Sequence, residues 1–231
     1  MERKITIAID GFSSTGKSTI AKELARYLGY IYVDTGAMYR AVSLYALQEK
    51  IIGKDHFEVE RLIQELPNIT LQFQYNEKLG FAEMYLNGVN VEKEIRTLEV
   101  SGYVSRVAEI SEVRAKLVQQ QQEMGKNKGI VMDGRDIGTV VFPDAELKLF
   151  MTASPATRAQ RRFDELIAKG DAVQYDEVLE NVILRDHIDT NRKDSPLIKA
   201  ENAIEIDNSH LTREEQFDTV LELVSEVTKT I

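Results

Sequence analysis

Eight consecutive residues near the start of the chain have the types and spacing of a phosphate-binding loop. The segment Gly11-Phe-Ser-Ser-Thr-Gly-Lys17-Ser18 fits the pattern G-x-x-x-x-G-K-[ST]. Glycines let the backbone wrap tightly, so that its N–H groups point at phosphate oxygens. Lys17 can reach the β- and γ-phosphates, and the Ser18 hydroxyl can ligate Mg²⁺. The residues expected to hold a nucleoside triphosphate are Gly11, Phe12, Ser13, Ser14, Thr15, Gly16, Lys17, Ser18 and Thr19.

Two aspartates, Asp34 and Asp133, each follow a short apolar run that reads as a strand. An acid at the end of a strand commonly helps a phosphate-loop serine to hold Mg²⁺. We expect Asp133 to take this role together with Ser18, and Asp34 is the alternative.

A phosphate loop alone does not separate kinases, GTPases and motors. A GTPase needs an N-K-x-D base reader, but Asn127-Lys128 is followed by Gly129-Ile130. The segment Asp133–Asp136 also lacks the glycine of a D-x-x-G switch. A motor or helicase usually needs a longer chain and often a basic track. These classes are therefore disfavoured.

The charge distribution points to small anions as ligands. The chain carries 29 Lys and Arg against 38 Asp and Glu, a net charge of −9, which argues against a nucleic acid polymer as partner. Arginines nevertheless cluster locally, at Arg158, Arg161 and Arg162 and again at Arg185 and Arg192. Such clusters suit phosphate groups held at a site. The absence of cysteine excludes disulfides and thiolate chemistry.

The elements that must position these residues alternate between strands and helices. A length of 231 residues suits one domain or one domain with an insertion. Strands are expected near Lys4–Asp10, Tyr30–Val33, Ile130–Asp133, Leu147–Met151 and Ala203–Ile206, and helices near Ala37–Gln48, Glu109–Gln122, Ala156–Ala168, Asp176–Thr190 and Thr212–Thr228. This order predicts an α/β phosphate-loop NTPase fold with a central five-stranded parallel sheet flanked by helices.

A different pattern between residues 65 and 104 predicts a small antiparallel insert. Ile69–Tyr75 alternates, Phe81–Leu86 follows, and Asn87-Gly88 is typical of a type I′ hairpin turn before Val89–Val91. The expected organisation is a core over residues 1–64, an insert over 65–104, and a core over 105–231 that includes a helical lid at about 155–195.

No apolar run approaches the roughly 18 residues of a membrane span, and Ile5–Ile9 is too short for a signal peptide. The sequence therefore predicts a cytoplasmic protein without a membrane partner. No segment is typical of a subunit interface, so a monomer is expected.

Several further segments, in order along the chain, resemble the bacterial cytidylate kinase family of the nucleoside monophosphate kinase group. They are Asp34-Thr-Gly-Ala-Met-Tyr-Arg40, Asp133-Gly-Arg-Asp-Ile-Gly-Thr-Val-Val-Phe-Pro143, Arg158-Ala-Gln-Arg-Arg162 and Arg185-Asp-His-Ile-Asp-Thr-Asn-Arg192 with Ser195-Pro-Leu197. The resemblance runs from about Ile5 to Ile206 and implies that the insert over residues 65–104 binds CMP. One departure is Phe12, where many members have proline, and it is expected to affect local packing alone.

The resemblance implies phosphoryl transfer from ATP to CMP or dCMP with Mg²⁺, giving CDP or dCDP. Residues implied to contact the acceptor nucleotide are Ser13, Thr35, Tyr39, Arg40, Ser105, Arg114, Arg135, Asp136, Arg185, Asp189 and Arg192. Residues implied to act in catalysis are Lys17, Arg135, Arg158, Arg161 and Arg192. Arg158 and Arg161 would close over the transferring phosphate from the lid.

The individual roles follow the same resemblance. Arg40, Arg192 and Ser13 would hold the CMP phosphate, and Arg185 and Asp189 would reach the ribose. Ser105, Arg114 and Asp136 would read the cytosine, because Asp136 can accept a hydrogen bond from the 4-amino group, which uracil lacks. A UMP or AMP kinase, or a nucleotide-binding regulator that transfers no phosphate, remains an alternative.

Overall fold

A computed structural model describes residues 4–230, which form two compact units. The first unit consists of the chain up to Val33 and from Gln122 onward, and the second is Asp34–Gln121.

The first unit is built on a five-stranded parallel sheet with strand order β2-β6-β1-β7-β8. Its strands are β1 (Thr6–Gly11), β2 (Ile31–Asp34), β6 (Ile130–Asp133), β7 (Leu147–Thr152) and β8 (Ile204–Asp207). Its helices are α1 (Lys17–Leu28), α6 (Pro155–Ala168), α7 (Tyr175–Asn191), α8 (Arg213–Thr230) and a π-helix at Ile137–Val141. The predicted fold class is confirmed.

The core of this unit explains why β1 lies at the centre of the sheet. All six residues of β1 are buried, as expected for an apolar run covered on both faces. Ile5, Ile7 and Ile9 pack in one cluster with residues of α1 and α8. Because the strands are parallel, β1, β6 and β8 end at the same edge of the sheet, in register Ile9↔Asp133 for the first pair. Polar residues that follow these strands therefore meet at one edge.

The second unit combines four helices with an antiparallel sheet of order β3-β4-β5. The elements are α2 (Thr35–Gln48), α3 (Val59–Glu65), β3 (Leu71–Asn76), β4 (Phe81–Leu86), β5 (Val89–Asn90), α4 (Leu98–Ala108) and α5 (Ser111–Gly125), with 3₁₀ turns at Leu66–Asn68 and Glu94–Arg96. The turn between β4 and β5 has φ of 49° at Asn87 and 83° at Gly88, as a type I′ turn requires. The predicted hairpin is confirmed.

Three details differ from expectation. The helices α3 and α4 were not expected, and β3 begins at Leu71 rather than Ile69. Tyr75 is exposed, although it lies in the same phase of the alternating pattern as Leu71, which is buried. Within residues 4–230, no helix is long and apolar enough to cross a bilayer.

Candidate active site

The phosphate-loop motif forms the turn between β1 and α1. Gly16, at φ 87°, is the N-cap of α1, and its carbonyl accepts the N–H groups of Thr19 and Ile20. Gly11 has φ 137°, and a Cβ there would lie 2.0 Å from the carbonyl oxygen of Met151, so glycine is required. The Thr15 hydroxyl donates to the Phe12 carbonyl at 3.0 Å. The helix N-terminus and the loop N–H groups together suit an anion.

Positive charge is crowded beside this loop. Lys17 is buried, and its pKa is lowered by that burial and then by the Arg135 guanidinium, against the opposing charges of Asp133 and Asp10. Burial and the same Arg135 lower the pKa of Arg185 to about 10. Cations crowded in this way are stabilised by a bound anion.

The Ser18 hydroxyl donates to the Asp133 carboxylate at 2.9 Å, and the Tyr32 hydroxyl donates to the other oxygen of that carboxylate at 2.8 Å. One hydroxyl and one carboxylate are oxygen ligands that suit Mg²⁺, which keeps several waters and phosphate oxygens as its remaining ligands. Across residues 4–230 no group of three or more His, Asp or Glu could hold a metal alone. The donor set thus fits a magnesium ion carried with a nucleotide.

Asp34 has different partners in the second unit. Its Oδ1 accepts the backbone N–H of Ala37 at 2.9 Å, which caps α2, and its Oδ2 pairs with Arg96 at 2.8 Å. The geometry therefore favours Asp133 over Asp34 for the metal.

Helix α7 brings its acidic and basic residues to the segment after β6. Arg135 donates through Nε to Asp189 at 2.9 Å, and Arg192 lies 3.9 Å from Asp136. Arg192 also donates through Nε to the Ser195 carbonyl at 2.8 Å. Asp136, Asp189 and Arg192 are all buried. Residues of α7 and of its C-terminal end thus lie beside the segment that follows β6.

Arg158 and Arg161 of α6 already have protein partners. Arg158 is 2% exposed and pairs with both oxygens of Asp186, at 2.9 and 2.5 Å. It also donates to the Ser13 carbonyl at 3.3 Å, and its Cζ lies 5.1 Å from the centre of the Phe12 ring. The aromatic residue at position 12 therefore packs against Arg158.

Arg161 donates to both the side chain and the backbone carbonyl of Asn208, at 3.0 and 2.8 Å. Asn208 in turn donates to the Thr15 carbonyl within the phosphate loop. The loop thus receives one contact from Arg158 and one, through Asn208, from Arg161.

In the second unit, Tyr39, Ser105 and Arg114 are buried on three different helices. The Arg114 guanidinium lies 5.6 Å from the centre of the Tyr39 ring and donates to the Ala108 carbonyl at 3.2 Å. The Ser105 hydroxyl has no hydrogen-bond partner among the described residues, and the Ser13 hydroxyl of the first unit likewise has none there. Buried hydroxyls without partners are uncommon and fit contacts to a ligand.

The remaining expected acceptor residues lie at the start of α2. Thr35 is buried as the first residue of the helix, and Arg40 donates to the Ile95 carbonyl at 3.3 Å.

Comparison with known proteins decides the family. The family model described as cytidylate kinase matches residues 7–226. The chain belongs to the cytidylate kinase family. It is therefore a kinase, and its reaction is the phosphorylation of a nucleoside monophosphate.

Relatives within the cytidylate kinase family cover almost the full length. The cytidylate kinase of Flavobacterium johnsoniae is 71% identical over 98% of this chain and 99% of its own. That of Parabacteroides distasonis is 59% identical over 95% of this chain and 96% of its own. Among solved structures, a gluconokinase from Sinorhizobium meliloti matches with a TM-score of 0.51 at 12% identity, over 99% of this chain and 97% of that one, which supports the fold alone.

Three residues of this cytidylate kinase family member were missed by sequence reasoning. Asp10 is buried and accepts the N–H groups of Ile137 and Gly138, at 2.8 and 2.7 Å. Asn208 and Asp186 contact the loop and its arginine, as described above. The sequence could have indicated Asp10 and Asn208, because each is a polar residue at the end of a sheet strand, where ligands of α/β proteins bind.

Proposed function

We propose that the enzyme transfers the γ-phosphoryl group of ATP to CMP or dCMP with the help of Mg²⁺. The observation that carries the proposal is the crowding of Lys17, Arg135 and Arg185 beside the phosphate loop. Phosphoryl transfer needs little covalent work from a protein and much positioning and charge stabilisation. A site with buried cations and paired carboxylates meets that need.

Two phosphate groups would neutralise this crowded charge. The loop residues Gly11–Thr19 would hold ATP, and Lys17 among them would contact its β- and γ-phosphates. Arg135 and Arg192 would contact the transferring group and the acceptor phosphate. The burial of the Lys17 side chain supports the proposal, because a buried cation is stabilised by a nearby anion.

Ser18 and Asp133 would hold Mg²⁺, which supplies charge neutralisation for the phosphates when it is bound. Their existing 2.9 Å hydrogen bond supports this, since it keeps both oxygens at one place beside the loop.

The acceptor base would contact Ser105, Arg114 and Asp136. A cytosine 4-amino group can donate to Asp136, whereas the carbonyl of uracil cannot. A buried acceptor left unpaired by the wrong base costs about 1–3 kcal/mol, which is enough for clear selectivity. The Ser105 hydroxyl, which has no partner among residues 4–230, supports a ligand at this position.

The acceptor phosphate and sugar would use the other implied residues. Ser13 and Arg40 would join Arg192 at the phosphate, and Arg185 and Asp189 would bind the ribose. Thr35 and Tyr39 complete the implied set. The partnerless hydroxyl of Ser13 is compatible with a phosphate oxygen as acceptor.

A lid over residues 155–195, formed mostly by α6 and α7, would exclude water from the γ-phosphate. Arg158 and Arg161 would contribute positive charge from it. Because Arg158 now pairs with Asp186, its contact with phosphate would require an exchange of partners.

An ADP-release assay with Mg·ATP and a panel of CMP, dCMP, UMP, AMP and GMP tests the proposal. We expect CMP and dCMP to turn over far faster than the others. The Lys17→Ala variant should lose this activity, whereas Lys126→Ala, which removes an exposed lysine, should keep it. Faster turnover of UMP or AMP would overturn the cytosine assignment. ADP release that no acceptor stimulates would instead favour a regulator.

A further inference from the structure

Asp34 ends a strand as a metal ligand would, yet its carboxylate is engaged within the second unit. Oδ1 accepts the Ala37 N–H at 2.9 Å, and Oδ2 pairs with Arg96 at 2.8 Å. A Cβ on Gly36 would lie 3.2 Å from Oδ1, so the glycine keeps space for this cap. Burial raises the pKa of Asp34, but the Arg96 guanidinium, the Ala37 N–H and the charge of Arg40 together hold that pKa below its ordinary value. The pair is therefore ionic.

Arg96 is itself held from a second side. Its Nε and Nη2 donate to Oε1 of Glu92, at 3.1 and 2.7 Å. The other oxygen of Glu92 accepts the Met84 N–H of β4 at 3.1 Å. Arg96 thus joins the first turn of α2 to the antiparallel sheet of the same unit.

The short helix that carries Arg96 also contacts Arg40. The Arg40 guanidinium donates to the carbonyl of Ile95, at 3.3 Å. Helix α2 is therefore attached to the Glu94–Arg96 turn at two points, through Asp34 at its cap and through Arg40 six residues later. A shift of that turn would move Arg40 as well as the cap.

We propose that Asp34 and Arg96 are a positioning pair, which sets the first turn of α2 and the direction of Arg40 toward the phosphate of the acceptor nucleotide. The proposal rests on the proposed function, in which Arg40 binds that phosphate. Under this proposal, Asp34 supports binding of the acceptor nucleotide and does not bind the metal.

Steady-state kinetics of Arg96→Gln, Asp34→Asn and the double variant test the pair. Asparagine still caps a helix, so Asp34→Asn removes the charge and keeps the cap. Each single variant should raise the KM for CMP about tenfold or more, because small displacements of a binding group have large effects. The KM for ATP and the Mg²⁺ concentration for half-maximal rate should change less than about twofold.

The double variant should have a KM for CMP no higher than that of the worse single variant, since both changes break one ion pair. Arg61→Gln is the matched control, because it removes an exposed arginine of the same unit that pairs with Glu58. Its kinetics should equal those of the wild type.

An unchanged KM for CMP in both single variants would overturn the positioning role. A large rise in the Mg²⁺ requirement of Asp34→Asn would overturn it as well, in favour of a metal ligand. If circular dichroism finds Arg96→Gln unfolded, Arg96→Lys carries the same test with the charge retained, and an intermediate KM is expected. Failure of the wild type to phosphorylate CMP would refute the proposed function separately.

Discussion

The Asp10 carboxylate accepts the backbone N–H of Gly138 at 2.7 Å, which ties the end of β1 to the segment that carries Arg135 and Asp136. The same carboxylate accepts the Ile137 N–H at 2.8 Å. A Cβ at Gly138 would lie 3.3 Å from Oδ2 of Asp10 and 3.1 Å from Cδ of Lys148, so a side chain there would crowd the contact. The phosphate loop and the segment after β6 are thus joined by one buried side chain.

Asp10 should make the free energy of unfolding fall as the pH rises from about 4 to about 7. Burial, and then the charge of Asp136, raise its pKa to about 7 despite two backbone hydrogen bonds. The folded protein therefore binds this proton more tightly than the unfolded chain, where the pKa is about 3.9. Its contribution to the free energy of unfolding is greatest below about pH 4 and is lost as the pH rises through about 7.

Urea unfolding of the wild type and Asp10→Asn between pH 4 and 7 measures this contribution. The stability of the wild type relative to the variant should fall by about 1.4 kcal/mol per pH unit. Asp218→Asn, a change at an exposed aspartate, should follow the wild type. Parallel curves for wild type and Asp10→Asn would mean that Asp10 does not bind this proton.

Replacing Asp133 should weaken the use of Mg²⁺. Asp133→Asn removes the charge beside Ser18, and we expect the Mg²⁺ concentration for half-maximal rate to rise about tenfold or more. Tyr32→Phe removes only the 2.8 Å hydrogen bond to this carboxylate, so its effect should be smaller. Equal Mg²⁺ dependence of Asp133→Asn and the wild type would assign the metal elsewhere.

Ser105→Ala should separate binding from stability. The Ser105 hydroxyl is buried without a partner among the described residues, so its removal costs no internal hydrogen bond and Tm should not fall. The KM for CMP should rise by about tenfold or less. Ser101→Ala, buried one turn earlier on α4, is the matched control and should leave the KM unchanged. A lower Tm with an unchanged KM would make Ser105 a packing residue.

Asp186→Asn should destabilise the protein strongly. It leaves the Arg158 guanidinium buried without its carboxylate, a change that typically costs about 3–5 kcal/mol. Differential scanning calorimetry should find a Tm lower by several degrees. Arg162→Gln breaks an ion pair with Glu165, whose side chain is about half exposed. This variant should lower the Tm much less. Similar Tm values for both variants would contradict the structural role of Asp186.

Local sequence patterns predicted much of this fold. The phosphate loop, the strand before it and the Asn87-Gly88 turn depend on neighbouring residues, and each is confirmed. Helix α4 was missed because its apolar face is completed by packing against α2, which a local pattern does not contain. The expected site residues were placed by resemblance, and their contacts with nucleotides stay predictions.

The missed residues have a common cause. Asp10 bonds to Ile137, 127 positions away, and Asn208 bonds to Thr15, 193 positions away. A sequence pattern marks each as a polar residue at the end of a strand but does not identify the partner. Distant pairings of this kind become visible only once the strand order is known.

The pairing of β1 with β7 means that the nucleotide site is completed late during protein synthesis. Gly11 pairs with Met151, so in a ribosome-bound chain that ends before β7 the strand that leads into the phosphate loop can pair with β6 alone. Such long-range pairing slows folding. Until β7 has been synthesised, one edge of the apolar strand β1 stays exposed. Nascent chains arrested before Leu147 should therefore fail to retain ATP, although they already contain the complete loop.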